Sequence, residues 1–337
     1  MKHFAKLAGA TALGLCLSVS ALAAETKLTI ASWAPPSHHM NSTMWPELIS
    51  RMEAATGGEV TAEIKYGLAP PPAMMDMVLD GAADMTWIFN GYNPGRFVGT
   101  KLIELPGYEG NAEQASVAYW RVYDAMLKQL DEHKGVKVIG LMTHGPGQVH
   151  ANRPVNALSD IDGLKVRIGG GVAGDIGAKL GMSGIRVPAP KVYETLDSGA
   201  ADAVAMPAEG RKSFKLTEVA PHLYEMPGGF YRGAFALIMS QEAFDDLPEA
   251  AQKALEEQVF GEPLSRMAGG VWDLADASGM EATAAAADNT VTVASAEDQA
   301  AFNAIAAEVI DSVKAEVNAL GVDADAAIAM IKAEMAK

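Results

Sequence analysis

The sequence is almost devoid of cysteine, since its 337 residues include only Cys16. A single thiol cannot form an internal disulfide, and the paired cysteines of thiolate metal sites are missing. Basic residues are also scarce, with 26 Lys and Arg against 42 Asp and Glu and a formal net charge of −16. Nucleic acid is therefore not an expected partner, because its binding requires clustered positive charge that neutralises phosphates.

The amino-terminal segment has the pattern of an export signal. Two early lysines precede an uncharged stretch, and small residues follow at 21–23, as a signal peptidase requires. A retained membrane anchor is an alternative, but the stretch is poor in large apolar residues and ends in a cleavage site. Lipid attachment at Cys16 is a second alternative, which the bulky Leu15 before it disfavours. We therefore expect residues 1–23 to be a cleaved signal peptide and the mature protein to be periplasmic, with no later segment able to span a membrane.

Short apolar strands alternate with helical patterns after the signal. We predict strands at 28–33, 61–66, 84–89, 136–142, 164–168, 185–187 and 203–205. Helices are predicted at 41–53, 70–79 and 113–132, and a mainly helical region begins at Pro248. This alternation indicates an α/β fold of parallel βαβ units. The chain is longer than one core usually serves, so two domains are expected, and the lack of a linker between them indicates crossing strands.

Seven segments carry a family resemblance, and they span nearly the whole mature chain. They are ASWAPPSHH, GAADMTWIFNGYNPGRF with the following ELP, THGPGQVHANRPV, DIDGLKVRIGGG, VPAPKVYETLDSGAADAV, FKLTEV and AFALIMSQEAFDDLPEAAQKAL. The chain resembles the DctP-type solute-binding proteins of tripartite ATP-independent periplasmic (TRAP) transporters. The resemblance implies a two-lobed periplasmic binding protein fold with hinge strands and a helical C-terminal segment. It also implies a monomer that captures a small organic carboxylate by hinge closure and delivers it to small and large membrane subunits, without reaction.

Lobe boundaries follow from the resemblance and from the change in composition. We expect lobe I to comprise residues 24–147 and about 235–270. Lobe II and the C-terminal helices then comprise residues 148–234 and about 271–337.

Arg167 is the main candidate for ligand binding. It lies at the carboxyl end of a predicted strand, which is where ligands of open α/β sheets bind. Its planar guanidinium can donate two parallel hydrogen bonds to a carboxylate, a geometry that lysine cannot reproduce. A structural arginine paired with a surface acid is the alternative. In the family that the chain resembles, the arginine of this motif binds the substrate carboxylate.

Three glycines, Gly169 to Gly171, follow that strand and allow backbone N–H groups to approach an anion at the start of the next helix. With Gly174 they also match the G-x-G-x-x-G pattern of dinucleotide-binding proteins, and Glu194 lies 20 residues further on. That acid falls within a helix instead of at a strand end, so a dinucleotide-binding protein or a secreted α/β enzyme acting on a small acid is the weaker reading. An ABC-type binding protein of similar shape is a third alternative.

Other candidate ligand-binding residues lie at strand ends or beside glycines. They are Trp33, Phe89, Asn90, His144, Gln148, Gly169, Met206, Phe230 and Tyr231. No second arginine lies near His144, which favours a monocarboxylate with an apolar or aromatic body. His38 and His39 are adjacent and would point apart in an extended segment, and no His-Glu-x-x-His pattern occurs. We therefore expect no catalytic residue, metal or cofactor.

Overall fold

The computed structural model describes residues 25–337, so the predicted signal peptide of residues 1–23 lies outside the described residues. No helix within residues 25–337 combines the length and the apolar character that crossing a lipid bilayer requires. Two β-sheets surrounded by helices form the architecture of this part of the chain.

Strands and helices alternate along most of the chain. The strands are β1 (Thr26–Ser32), β2 (Val60–Tyr66), β3 (Met85–Phe89), β4 (Val136–Thr143), β5 (Gln148–Ala151), β6 (Lys165–Ile168), β7 (Ser183–Arg186), β8 (Ala203–Met206), β9 (His222–Glu225), β10 (Ala234–Ser240) and β11 (Thr290–Val293). The α-helices are α1 (Trp45–Thr56), α2 (Met74–Leu79), α3 (Lys101–Glu104), α4 (Ala112–Val122), α5 (Val172–Lys179), α6 (Val192–Asp197), α7 (Gly210–Ser213), α8 (Leu216–Val219), α9 (Gln241–Asp245), α10 (Glu249–Gln258), α11 (Glu262–Ala285), α12 (Ala296–Ala319) and α13 (Ala324–Met335).

Helix α1 packs into the core and anchors the segment that precedes it in the chain. Trp45, Leu48 and Met52 are fully buried, and their spacing places them on one face of the helix. The helix ends at Gly57, whose positive φ of 63° is accessible to glycine at little cost. A π-helical turn at Met40–Met44 precedes α1 and continues its direction back toward the two adjacent histidines.

The strands form two separate sheets, and each sheet is the centre of one lobe. The sheet of lobe I has the order β2-β1-β3-β10-β4, and the sheet of lobe II has the order β11-β9-β5-β8-β6-β7. This two-lobed α/β architecture confirms the predicted fold class.

Neither sheet is purely parallel, so the expectation of parallel βαβ units alone is wrong. Strand β10 pairs antiparallel with β3 and β4, and β5 pairs antiparallel with β8 and β9. Both strands enter their sheet directly from the other lobe. Parallel neighbouring strands need a crossover connection, which is usually a helix packed on the same sheet. Strands β5 and β10 do not follow such a helix, so they need not be parallel to their neighbours.

Two chain crossings lie side by side between the lobes, and we call them the hinge pair. Residues 144–147 connect β4 to β5, and residues 226–233 connect β9 to β10. The Gly147 N–H donates to the Tyr231 carbonyl at 2.8 Å, and the Phe230 N–H donates to the Gly147 carbonyl at 2.9 Å. The hinge pair therefore behaves as a short antiparallel ribbon that holds the lobes together.

Helix α11 is a third connection between the lobes. It packs against α4 and β4 of lobe I and against α7 of lobe II, so it runs through the boundary that the sequence placed near residue 270. The final helix α13 packs against α4, although the sequence assigned residues 271–337 to lobe II. The exact lobe boundaries remain a prediction.

Candidate functional site in the cleft between the lobes

A cavity lies where the hinge pair and α11 meet the two lobes. The empty space among its lining residues, including the part open to solvent, is about 410 Å³. Seven of its fifteen lining residues are Trp, Tyr or Phe, namely Trp33, Phe89, Tyr92, Phe214, Tyr231, Phe235 and Trp272. Its charged or titratable lining, apart from tyrosine, comes from His38, His144, Arg167 and Glu209.

Arg167 projects into this cavity from β6 of lobe II. The residue is 3% exposed, and no carboxylate of residues 25–337 lies within 4.0 Å of its guanidinium nitrogens. Its Nε donates to the Val187 carbonyl at 2.8 Å, and its Nη2 donates to the Tyr92 hydroxyl at 3.2 Å. A guanidinium has five N–H groups, so these two bonds leave donors for a planar anion. Pairing with a surface acid, the structural alternative for Arg167, is not observed.

The Tyr92 hydroxyl completes the anion site from lobe I. Its oxygen accepts hydrogen bonds from Arg167 and from the Ala189 N–H, the latter at 2.8 Å. A hydroxyl oxygen accepts about two hydrogen bonds and donates one, so the Tyr92 proton is left for an acceptor in the cavity. Arg167 and Tyr92 together present N–H and O–H donors that suit a carboxylate.

Stacked and tilted aromatic rings form the walls. The Trp33 ring stacks on Trp87 with centroids 3.9 Å apart, and the Trp33 Nε1–H donates to the Trp87 carbonyl at 3.0 Å. Phe235 contacts both Phe89 and Trp272, at 5.0 and 5.4 Å between ring centroids. Because the indole N–H of Trp33 is already bonded, this ring offers only its apolar surface to a ligand.

His144 lies on the hinge pair and is a neutral imidazole. Its Nδ1 lies 2.6 Å from the Gly145 carbonyl, which can only accept, so Nδ1 carries the proton. Burial lowers the pKa of His144 to about 4, and the nearby Arg232 lowers it further. The Nε2 atom therefore has a free lone pair at neutral pH, and His144 adds no positive charge to the cavity.

The start of α5, just after the glycine loop, binds a carboxyl group that belongs to the protein itself. The Val172 N–H at the start of α5 donates to Glu104 of lobe I at 2.8 Å. A Cβ at Gly171 would overlap the Glu104 carboxyl group, and a Cβ at Gly170 would overlap the Gly91 carbonyl oxygen. The expectation that Gly169 to Gly171 hold a ligand anion at this helix is therefore wrong, and no room remains there for a dinucleotide phosphate.

Two histidines and a glutamate form a second polar group in the cavity. We call His38, His39 and Glu209 the histidine–glutamate cluster, since one ligand atom of each lies within 4.8 Å of the others. The histidine rings stack with centroids 4.1 Å apart, so the expectation that they point apart is wrong. The segment is helical at His39 instead of extended, which brings both rings to one side. Burial lowers the pKa of His38 to about 3 and that of His39 well below its ordinary value.

Glu209 of this cluster is buried beside another acid. Burial raises the pKa of the Glu209 carboxyl to about 8, and the Ser213 side chain only partly opposes this shift. Its backbone N–H donates to Asp276 of α11 at 2.7 Å. The group is therefore largely protonated at neutral pH.

The hydrogen bond of His38 argues against a metal ion in this cluster. The Met40 N–H donates to the His38 Nδ1 at 3.2 Å, so Nδ1 holds a lone pair and the proton of the neutral ring lies on Nε2. A histidine that binds metal through Nε2 instead donates its Nδ1–H to an acceptor. His38 consequently points an N–H donor toward Glu209, not a lone pair.

Seven of the ten residues selected from the sequence line the cavity. They are Trp33, Phe89, His144, Arg167, Gly169, Met206 and Tyr231. The other three lie in the surrounding structure. Asn90 donates to the Thr100 and Tyr119 hydroxyls, and Gln148 exchanges two hydrogen bonds with the Met226 backbone.

Phe230, the third of these, packs against Phe302 and Tyr224 inside lobe II, with ring centroids 5.0 and 6.3 Å apart. Its neighbour in the chain, Tyr231, faces the cavity, because successive side chains of an extended ribbon point to opposite sides. Phe230 therefore supports the wall instead of forming it.

Sequence reasoning missed Tyr92, Phe214, Phe235 and Trp272 as lining residues. Tyr92 lies three residues beyond the end of β3, a place that strand periodicity could have indicated. Trp272 lies in the middle of α11, where helical spacing alone gives no sign that one residue reaches the cleft.

Residues 30–316 match the DctP family model, described as bacterial extracellular solute-binding protein, family 7. Solved structures agree with this match. A TRAP periplasmic solute-binding protein from Bordetella bronchiseptica with bound (R)-mandelate and (S)-mandelate is 35% identical, with a TM-score of 0.89 over 92% of this chain and 98% of that chain. A TRAP solute-binding protein from Rhodoferax ferrireducens in complex with copurified benzoate is 27% identical, with a TM-score of 0.86 and the same coverage of 92% and 98%.

A third similar structure comes from an unidentified microbe of a marine metagenome. It is a TRAP solute-binding protein specific for aromatic acid ligands in complex with metahydroxyphenylacetate, 25% identical with a TM-score of 0.85 over 93% of this chain and 99% of that chain. The family match covers most of the chain, and the two-lobed fold agrees with it. The protein therefore belongs to the DctP family, the bacterial extracellular solute-binding proteins that serve TRAP transporters in the periplasm.

Proposed function

We propose that this protein captures a monocarboxylate with an aromatic or apolar body and delivers it to a TRAP permease. Arg167 carries the proposal, because it is a buried cation without an acidic partner among residues 25–337. A buried, unpaired charge is strongly unfavourable, and a ligand carboxylate would relieve that cost. The donor pair of Arg167 and Tyr92 matches the shape of a carboxylate.

The rest of the cavity favours a single carboxylate. Arg167 is the only arginine or lysine in the described lining, and Glu209 is an acid. Arg232 is also buried, but it donates to the Gly110 carbonyl and does not line the cavity. A second carboxylate would therefore be desolvated without a cation to pair with.

Aromatic walls favour a flat, apolar ligand body. Rings from both lobes and from α11 surround the space beside Arg167, and rings stack well on one another at these distances. The similar structures with bound mandelate, benzoate and metahydroxyphenylacetate support an aromatic acid for this chain also.

Closure of the lobes is the proposed mechanism of capture. Tyr92 and Glu104 of lobe I bond to Arg167 and to the Val172 N–H of lobe II, so these contacts exist only when the cleft is closed. Closure excludes water and strengthens the pairing between Arg167 and a carboxylate. The hinge pair and α11 would then bend as the ligand leaves.

The proposal also includes export of the protein, docking on membrane subunits and release of the ligand without a reaction. Residues 1–23 would be removed after Ala23, and the mature protein would act as a monomer that docks on small and large membrane subunits. The lobe boundaries given above belong to the same proposal.

The test is thermal stability of the purified protein against organic acids. The protein is first unfolded and refolded, so that ligand acquired during expression is removed. A ligand present at about a hundred times its dissociation constant adds roughly 2.7 kcal/mol to stability. We expect benzoate-like and phenylacetate-like acids to raise the melting temperature, and C4-dicarboxylates and aromatic amides to leave it unchanged. Stabilisation by dicarboxylates alone would contradict the proposal.

A further inference from the structure

The histidine–glutamate cluster leaves an unusual number of buried polar atoms without a partner. Within residues 25–337, no hydrogen-bond partner lies within 3.5 Å of the His38 Nε2, of either ring nitrogen of His39 or of either Glu209 carboxyl oxygen, although the Ser213 side chain is near enough to Glu209 to lower its pKa. Folded proteins bond nearly all buried polar atoms, so each exception calls for an occupant or a role. Five exceptions in one cluster, two of whose members line the ligand cavity, indicate that something polar binds there.

Trp33 lies near one residue of the cluster and near one residue of the carboxylate site. The Trp33 ring lies 6.1 Å from Tyr92, which bonds Arg167, and 6.5 Å from His38, measured between ring centroids. Phe214 and Trp272 also contact His38, at 5.5 and 5.9 Å. A ligand whose apolar body lies on Trp33 would therefore reach both the anion site and the cluster.

The spacing within the cluster suits one bridging oxygen atom. The Glu209 Oε2 lies 3.9 Å from both the His38 Nε2 and the His39 Nδ1. These distances are too long for direct hydrogen bonds, which join nitrogen and oxygen at about 2.7–3.2 Å. A single oxygen displaced to one side of a nitrogen–oxygen pair with this separation could lie within hydrogen-bond distance of both atoms.

The positions of the protons on His38 and Glu209 determine which kind of ligand oxygen the cluster can bind. His38 Nε2 carries a proton, because its Nδ1 accepts from the Met40 N–H. Glu209 has at least one oxygen that can only accept, whether or not the group is protonated. A hydroxyl can accept from His38 and donate to Glu209 in either protonation state, whereas a carbonyl leaves the accepting oxygen of Glu209 without a donor and an ammonium cannot accept from His38.

We propose that the histidine–glutamate cluster binds a hydroxyl substituent of the ligand, so that the captured acid is a hydroxylated aromatic monocarboxylate. The inference rests on the proposed function and deepens it. The hydroxyl lies on the ring, away from the carboxylate that Arg167 binds. A hydroxyl adjacent to the carboxylate, as in mandelate, does not reach the cluster.

The test compares ligands that differ by one hydroxyl. Calorimetric dissociation constants are measured for phenylacetate, its ortho-, meta- and para-hydroxy derivatives and mandelate, with the chelator-treated wild-type protein. Loss of a hydrogen-bonding partner for buried polar groups costs about tenfold to a hundredfold in affinity. We expect at least one ring-hydroxylated acid to bind tenfold or more tightly than phenylacetate, and mandelate to show no gain that depends on Glu209.

Two variants establish that the cluster is responsible. Glu209→Leu should abolish the hydroxyl gain, measured within the variant as the ratio of the phenylacetate and hydroxyphenylacetate dissociation constants, and Glu209→Gln, which keeps a donor and an acceptor, should retain part of it. The leucine variant should remain folded, since it removes an unpaired buried carboxyl, and its melting temperature and circular dichroism check this. His38→Phe should likewise remove the gain.

Each outcome decides between the two proposals. If no carboxylate binds the wild-type protein, the proposed function fails. If phenylacetate binds but no hydroxylated derivative binds more tightly, the function stands and the hydroxyl inference is overturned, with a buried water as the occupant. A hydroxyl gain that persists in Glu209→Leu, or that appears only after a divalent cation is added back, also overturns it.

Discussion

The Tyr92 hydroxyl and the Arg167 guanidinium meet across the cleft at 3.2 Å, and they belong to different lobes. Tyr92 follows β3 of lobe I, and Arg167 lies on β6 of lobe II. The anion site is therefore complete only in the closed protein. Under the proposed function, ligand binding and lobe closure are coupled, because the ligand carboxylate and Tyr92 would share the same guanidinium.

Tyr92→Phe tests this coupling. The change removes the acceptor for the Arg167 and Ala189 N–H groups and the proton offered to the ligand. We expect carboxylate affinity to fall about tenfold to a hundredfold, since a hydrogen bond to a charged group contributes roughly 1.5–3 kcal/mol. Calorimetry measures this, with Tyr193→Phe as control because its hydroxyl contacts only the exposed Glu218 on lobe II. Equal affinities of Tyr92→Phe and wild type would exclude a role for the hydroxyl.

Glu104→Gln should weaken the closed state. The two Glu104 oxygens accept separately from the Val172 and Ala234 N–H groups, so a glutamine leaves one of them facing an NH₂ group. We expect a loss of about 1–3 kcal/mol in stability and lower ligand affinity. In the control Glu132→Gln, one oxygen accepts from both neighbours within lobe I, so the amide oxygen can replace it. Chemical denaturation and calorimetry compare the two, and identical ligand affinities would contradict a closure role for Glu104.

Gly170→Ala should block closure by contact with Gly91. The Gly170 φ is +110°, and an added Cβ would overlap the Gly91 carbonyl oxygen of lobe I. Gly58→Ala is the control, because its φ is +88° but nothing lies within 4 Å of the added Cβ. Both variants incur backbone strain, and only Gly170→Ala should lose ligand affinity, by tenfold or more. Small-angle scattering with and without ligand should show no compaction for this variant, and compaction like that of wild type would contradict the prediction.

The buried acids Glu209, Glu104 and Asp276 should lower stability as the pH rises from about 5 to 8, whereas buried neutral histidines such as His38 and His144 oppose this loss below about pH 6.5. Burial raises the pKa of Glu209 from an ordinary 4.5 to about 8, and burial also raises the pKa values of Glu104 and Asp276 to about 7. At a pH between the pKa of such a group in the unfolded chain and its higher pKa in the folded protein, the folded protein holds a proton that the unfolded chain has lost. Raising the pH therefore favours unfolding, by up to about 1.4 kcal/mol per pH unit for each group.

Glu209→Gln removes one of these groups and should flatten the slope. The difference in free energy of unfolding between variant and wild type should shift in favour of the variant from pH 5 to pH 8. Denaturant titrations at several pH values measure it. A constant difference across this range would show that Glu209 ionises normally in the folded protein.

The position of Arg167 in the cavity could be predicted from the sequence because its surroundings are local, whereas its role in binding a ligand remains a proposal. A short apolar strand, an arginine at its end and a glycine loop specify where the side chain lies, and the family resemblance adds its role. Tyr92 was missed because its function depends on the approach of the other lobe. Trp272 was missed for a similar reason, since only the packing of α11 across both lobes carries it to the cavity.

Polar residues at strand ends were the main source of misplaced candidates. Asn90 and Gln148 look like ligand-binding groups in the sequence, but the Asn90 NH₂ group donates to buried hydroxyls and Gln148 bonds the Met226 backbone. The expectation that the His38 and His39 side chains point apart was wrong because the backbone at His39 is helical, which a segment rich in proline and histidine does not indicate. Local patterns specify strands and helices, whereas the identity of hydrogen-bond partners depends on tertiary packing.

The most direct test of the account is calorimetric titration of Arg167→Ala and Arg167→Lys with the tightest aromatic monocarboxylate. Removing one partner of a buried ion pair costs roughly 3–5 kcal/mol, so the alanine variant should lose about two to four decades of affinity. The lysine variant should recover only part of it, because an ammonium cannot donate two parallel hydrogen bonds. Wild-type affinity in Arg167→Ala, with the protein folded, would contradict the account.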